Sequence, residues 1–162
     1  MMYPKVLVPL DGSALAECAL PQVKKMAKEG FVKEIVLLTV IDIHPGAFME
    51  GSDVTVIYQA QLDNSRDYFK KLEAQFRTEG IDVKTEILQG ATAQAIADYA
   101  RQKGVDLIVI ATHGHTGMKR LMFGSVALRV MHESPVPVLL IRPDVCGTAG
   151  KEGTAPAQTP PA

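Results

Sequence analysis

The chain has 162 residues, 47% of them hydrophobic, which suits one compact domain with a core large enough to fold unaided. A formal net charge of −1 gives no electrostatic case for nucleic acid or an anionic membrane as partner, and no apolar run reaches the roughly 18 residues that would span a bilayer. Cys18 falls in a helical pattern and Cys146 in a polar tail, without CxxC or metal-ligand spacing. Neither a disulfide framework nor a zinc site is therefore expected, and with no signal-type segment before the first strand a cytoplasmic location fits best.

Val6-Leu-Val reads as a first strand. Ala16, Ala19, Leu20, Val23, Met26 and Ala27 then recur at helical spacing, with Ser13 as N-cap, Gly30 as stop and Pro21 as an internal kink. Ile35 to Ile41 is a second strand apolar on both faces. Ile43 to Val56, with Pro45, Gly46 and Gly51, is a long connection that reads either as a mobile flap or as a plain surface insertion. Leu62, Ser65, Phe69, Leu72 and Phe76 carry a second helix from about Ile57 to Glu79, closed by Gly80. Val83 to Ile87 alternates, as a strand exposed on one face does. Ala93, Ile96, Ala97 and Ala100 line a third helix ending at Gly104, Leu107 to Ile110 is a fourth strand, and Val126, Ala127, Val130 and Met131 make a fourth helix that stops at Ser134-Pro135. Val136 to Ile141 is the last strand, and residues 144–162, rich in Gly, Ala, Thr and Pro, form a flexible tail beyond a domain of residues 1–143.

Strand and helix in alternation through five strands predict an α/β fold: an open, doubly wound, parallel sheet with helices on both faces. The alternating third strand and Pro137 in the fifth both suit edges, so the order 3-2-1-4-5 is predicted. Winding then reverses between strands 1 and 4, and ligands of such sheets bind at the carboxyl ends of the strands at that reversal. Pro9-Leu-Asp-Gly-Ser13 and the loop Ala111 to Ser125 meet there.

That loop carries Gly114, Gly117 and Gly124, Lys119 and Arg120, and ends on Ser125 where a helix begins with unpaired amides. It is longer than the about 2 to 6 residues of an economical strand-to-helix link, and it is neither a P-loop nor GxGxxG. Two readings stand at this level, a phosphate-binding loop and a glycine-rich connector. Asp11 likewise stands either as a ligand for paired hydroxyls or as a turn residue.

These residues carry a resemblance to the universal stress proteins of the nucleotide-binding type, whose signature is Gly, two residues, Gly, nine residues, then Gly-Ser or Gly-Thr. Here Gly114 is followed by nine residues and Gly124-Ser125, while Val8-Pro-Leu-Asp-Gly-Ser13 and Pro135-Val-Pro-Val-Leu-Leu-Ile141 also match, so the resemblance spans about residues 3–143. The departure is Ala111, which stands where the signature has its first glycine and whose methyl narrows the adenosine end. The resemblance implies ATP as ligand, with Mg2+ or Mn2+ held mainly by its phosphates. It places Asp11 at or near the ribose, Val40 against adenine through its backbone, and Gly114, Gly124, Ser125 and Val126 on the phosphates, with Pro9, Leu10, Ala111, His113 and Gly117 also in the nucleotide site. It also points to a homodimer, and the apolar edge strand Val136 to Ile141 is where two copies would pair.

His113 and His115 flank Gly114 and read either as loop-shaping residues or as groups that polarise a phosphate. No Ser/His/acid set or paired catalytic carboxylates are readable, so any ATP hydrolysis is expected to be slow. The leading expectation is an ATP-binding regulatory protein. A slow ATPase or other nucleotide-dependent enzyme, and a dimerisation module without nucleotide, are the alternatives. A phosphoacceptor receiver domain is disfavoured because the third strand ends Ile87-Leu-Gln-Gly90 without an acceptor aspartate.

Overall fold

The computed structural model describes residues 2–42, 53–112 and 124–142. Along them run β1 (Lys5–Pro9), a 3-10 turn (Ala16–Ala19), α1 (Leu20–Lys28), β2 (Glu34–Ile41), α2 (Val54–Thr78), β3 (Val83–Gln89), α3 (Thr92–Gln102), β4 (Leu107–Ala111), α4 (Ser125–Glu133) and β5 (Val138–Ile141). The strands build one parallel sheet in the order β3-β2-β1-β4-β5. The alternating third strand and the fifth strand, with its neighbouring proline, thus occupy the two edges, as their sequences predict. Pro137, just ahead of β5, uses the one ladder group a proline has: its carbonyl accepts the Ile108 N–H at 3.0 Å.

Successive strand side chains point to opposite faces, so each buried strand feeds two cores. Val6, Val8, Ile35, Leu37 and Val109 pack with Leu20, Val23 and Met26 of α1 and Phe69, Leu72 and Phe76 of α2. Leu7, Val36, Leu38, Ile108 and Ile110 face the other way, onto Ala93, Ile96 and Ala100 of α3 and Ala127 and Val130 of α4. Each large apolar side chain buried in this way contributes roughly 1.5–3 kcal/mol, which makes these two faces the main source of stability. On the first face Glu79, just past α2, accepts from Lys24 Nζ at 2.6 Å and Lys28 Nζ at 2.5 Å, and Lys24 lies 4.6 Å from the centre of the Phe76 ring. The hydrogen bonds from Lys24 and then Lys28 hold the Glu79 carboxyl down at about 2.

Several expectations are corrected in detail. Pro21 does not kink a long helix: the 3-10 turn precedes it, and Pro21 falls in the first turn of α1, where its missing N–H has no partner to lose. Ser13 does not cap α1: it lies ahead of the 3-10 turn, where its Oγ accepts the Ala16 N–H at 3.1 Å. The second helix starts earlier than its apolar pattern suggests, because Asp53 accepts the Thr55 N–H at 2.9 Å and caps a first turn at Val54–Val56 that lies exposed. The end of the predicted 43–56 connection is therefore helix, while residues 43–52 and the 143–162 tail lie outside the described residues. Val126 and Met131 belong to α4 as predicted but face outward, at 39% and 43% exposure, while Ala127 and Val130 make its buried side. Cys18 is buried in the 3-10 turn, and Cys146, the other cysteine of the chain, lies outside the described residues.

Candidate functional site

β1 and β4 are neighbours in the sheet, yet the chain leaving β1 turns to the α1/α2 face and α4, which follows β4, packs on the opposite face. A crevice opens where they part, at the carboxyl ends of the strands. The cavity there, of about 170 Å³, is lined by Pro9, Leu10 and Asp11 after β1, Ala16 of the 3-10 turn, Leu38 and Val40 of β2, Thr92 and Ile96 of α3, Ile110 and Ala111 of β4, and Gly124, Val126 and Ala127 at α4. Its floor is core: Leu38 is fully buried, with Ile96 at 1% and Ile110 at 6% exposure. Such walls accept a flat apolar ring and leave recognition to the few polar groups at the rim.

The first rim group is the turn after β1. Gly12 adopts φ +82°, a conformation that a side chain would strain, and this lets the Ser13 N–H reach back to Asp11 Oδ1 at 2.9 Å. Asp11 is thus a turn residue through one oxygen, and the residue also lines the cavity rim. Behind it, on α2, the Tyr68 phenol is pushed well above its ordinary range, by burial first, then by the Glu17 carboxylate and, least, by that of Asp11. This side of the crevice is electronegative and suits hydroxyl donors rather than phosphate.

The second rim group is backbone. Leu10 N–H donates to the Leu38 carbonyl at 2.8 Å, and Gly90 N–H to the Ile41 carbonyl at 3.1 Å, so even-numbered residues of β2 turn their amides toward β1 and odd-numbered ones toward β3. Val40 comes next on the β1 side, where β1 has ended. The acceptor a longer β1 would offer it, the Leu10 carbonyl, is engaged by the buried Thr39 Oγ1 at 2.9 Å. The Val40 N–H and C=O therefore form a donor–acceptor pair at the cavity wall.

The third is the start of α4. Gly124 precedes it with φ −54° and ψ 141°, a conformation open to any residue, so its value here is the absence of a side chain before the helix mouth. Among the described residues no side chain caps this helix, although the Gly124 carbonyl accepts the Leu128 N–H at 3.0 Å. The amides of Ser125, Val126 and Ala127 are then first-turn donors without intrahelical partners, at the positive end of the helix dipole. Ser125 is exposed at the mouth and is not part of the cavity wall. The loop that leads here springs from Thr112, whose N–H donates to the Ile141 carbonyl of β5 at 2.8 Å and whose Oγ1 reaches the same carbonyl at 3.4 Å.

The structure thus brings Pro9, Leu10, Asp11, Val40, Ala111, Gly124 and Val126 to one cavity. His113, Gly114 and Gly117, with Lys119 and Arg120, lie outside the described residues. Ala16, Leu38, Thr92, Ile96, Ile110 and Ala127 also line it and were not singled out from sequence. Five of these six are apolar and indistinguishable from core; Thr92 has a readable signal, a hydroxyl at a helix start just after a strand's carboxyl end.

The universal stress protein family profile matches residues 2–142. The chain belongs to the universal stress protein family. It is 34% identical over 143 residues to universal stress protein MJ0531 of Methanocaldococcus jannaschii, covering 87% of this chain and 83% of that one. Among solved structures, it superposes on universal stress protein UspA from Lactobacillus plantarum with a TM-score of 0.73 at 27% identity, covering 88% and 99% of the two chains. An Arabidopsis thaliana universal stress protein family protein with AMP bound shares the fold, with a TM-score of 0.61 at 16% identity over 86% of this chain and 91% of that one. Among the described residues, no helix is long and apolar enough to cross a membrane, and no group of three or more His, Cys, Asp and Glu side chains is placed to hold a metal ion.

Proposed function

We propose that this universal stress protein binds ATP in the β1/β4 crevice and acts as a nucleotide-responsive regulatory protein in stress adaptation. The observation that carries the reading is the convergence of three unlike rim groups on one apolar cavity: the carboxylate of Asp11, the open backbone pair of Val40 and the uncapped start of α4. They match the three parts of a nucleotide in kind. A carboxylate suits the paired ribose hydroxyls, an adjacent N–H and C=O suit the edge of a base, and first-turn amides at a helix start suit phosphate oxygens. The base occupies the slot over Leu38, Ile96 and Ile110 in this arrangement. The electronegative Asp11 side sends the phosphates toward Gly124, Ser125 and Val126, and onward to the loop that bears His113, Gly114 and Gly117.

A divalent cation, Mg2+ or Mn2+, fits this reading as a companion of the phosphates, since the described side chains at the α4 mouth offer no carboxylate to it. Its chemistry there is charge neutralisation. The AMP-bound relative, at its low identity, supports the fold, so the ligand argument rests on this chain's own residues. The same reading takes the domain as residues 1–143 and the protein as cytoplasmic, and pairs two copies through their β5 edges. Val138, Leu139, Leu140 and Ile141 are all half-buried in the monomer, and Leu128 and Met131 lie exposed on the adjoining α4, which gives that edge an apolar surface.

Titration calorimetry with ATP in magnesium buffer is the direct test. Saturable binding is expected; folded protein that takes up neither ATP, ADP nor AMP at millimolar concentration would sink the reading and leave the dimerisation module. Light scattering at tens of micromolar is expected to give a dimer mass, and a strictly monomeric mass would refute pairing at β5. Multiple-turnover phosphate release above that of a Gly124→Val control would instead favour the slow ATPase.

A further inference from the structure

Among the described residues that line the cavity, only Asp11 and Thr92 bring polar side chains. Thr92 is the first residue of α3, and with Ile96, one turn on, it forms the face that this helix presents to the cavity. Its hydroxyl has no hydrogen-bond partner among the described residues. It is not occupied in capping either, since the N-cap position belongs to Ala91, whose backbone is extended at φ −67° and ψ 118°. α3 packs on β2, β3 and α4, and α4 on α3 and β5. Thr92, which opens the helix after β3, lines the same cavity as Val40 of β2 and Gly124 before α4.

We propose that Thr92 is a specificity-determining residue, whose hydroxyl hydrogen-bonds the polar edge of a purine base lying in this slot. The inference rests on the nucleotide reading above and adds the part of the ligand that is selected. Around Thr92 the walls are Leu38, Ile96 and Ile110, which offer a base contact area but no discrimination. A threonine hydroxyl at the wall of such a slot both donates and accepts, so it suits a base that carries ring nitrogens or an amino group on its edge. A smaller base held by its ribose and phosphates falls short of it. Site groups that bond a ligand atom reject the analogue that lacks it, because they are then left unpaired.

The test compares the full-length protein with Thr92→Val, which keeps the β-branched shape and removes the hydroxyl, and with Thr92→Ser, which keeps the hydroxyl. Affinities for ATP, adenosine and UTP are measured by calorimetry and competition, with thermal unfolding to show that both variants are folded. Thr92→Val is expected to weaken ATP and adenosine by the same factor, about 3- to 10-fold for one neutral hydrogen bond, to leave UTP unchanged, and so to shrink the purine preference by that factor. Thr92→Ser is expected to retain it. Equal weakening of ATP and UTP would place the hydroxyl on ribose or phosphate and overturn the proposal, as would a folded Thr92→Val with unchanged ATP and adenosine affinity. If the wild-type protein itself bound neither ATP nor adenosine, the nucleotide reading would fall and this inference with it, an outcome distinct from a failure at Thr92 alone.

Discussion

The two chain segments that frame the crevice solve their backbone hydrogen bonding in opposite ways. After β1, the turn closes on itself: Asp11 Oδ1 takes the Ser13 N–H and Ser13 Oγ takes the Ala16 N–H, so these two donors are used before any ligand arrives. After β4, among the described residues no side chain caps the start of α4 and none bonds its first amides. The first segment is a preformed wall and the second an unsatisfied donor set. A ligand is thus expected to gain shape and orientation from the first and most of its charge-assisted binding from the second.

The sharpest way to break this contrast is Gly124→Val. The backbone of Gly124 is one that valine adopts readily, so the fold is expected to persist by circular dichroism while a branched side chain blocks the amides. ATP affinity should fall by at least about 100-fold, the loss of more than one charge-assisted bond, with adenosine changed only a few-fold. A folded variant that bound ATP like wild type would show that the α4 mouth is structural. Asp11→Asn is milder. Its Oδ1 still accepts from Ser13, so the melting temperature should hold, while ATP and adenosine weaken together by about tenfold through the loss of one charged acceptor. If only ATP weakened, Asp11 would belong with the phosphates.

Ser13→Ala touches the self-satisfied segment alone. Chemical denaturation should report a loss of about 1 kcal/mol in stability, and calorimetry an ATP affinity within about twofold of wild type. A large loss of affinity without loss of stability would erase the distinction between the two segments. The smallest effect is expected far from both, at Glu79. Its carboxyl is held at about 2, against 4.5 for an unperturbed one, so its stabilising contribution is present above 4.5 and is lost as pH falls toward 2. Glu79→Gln should therefore lower the melting temperature slightly at neutral pH and make no difference near pH 2, because the pair is exposed and screened. A difference that grew on acidification would have the wrong sign.

Much of this molecule is legible in its sequence because two-faced burial leaves a strong trace. Ile35 to Ile41 is apolar but for Thr39 since both its faces are core, and the alternation of Val83 to Ile87 marks an edge that is half solvated. Helix starts are less legible. Val54-Thr-Val has the composition of a strand, and only the Asp53 cap makes it helix. Pro21 misleads for the opposite reason, since a proline inside a periodic pattern looks like a break when the pattern is two helical segments in series. At the candidate site, the polar and glycine positions stand out while the walls do not. Leu38 and Ile110 are cavity only because the strands end, and nothing in a run of aliphatic residues says where its cover stops.

The two bonds that Thr112 makes to the Ile141 carbonyl tie the root of the glycine loop to the last residue of the edge strand. A single main-chain oxygen thus holds both the end of the outermost strand and the residue from which the chain leaves β4, so the rim of the crevice and the edge of the sheet share one anchor.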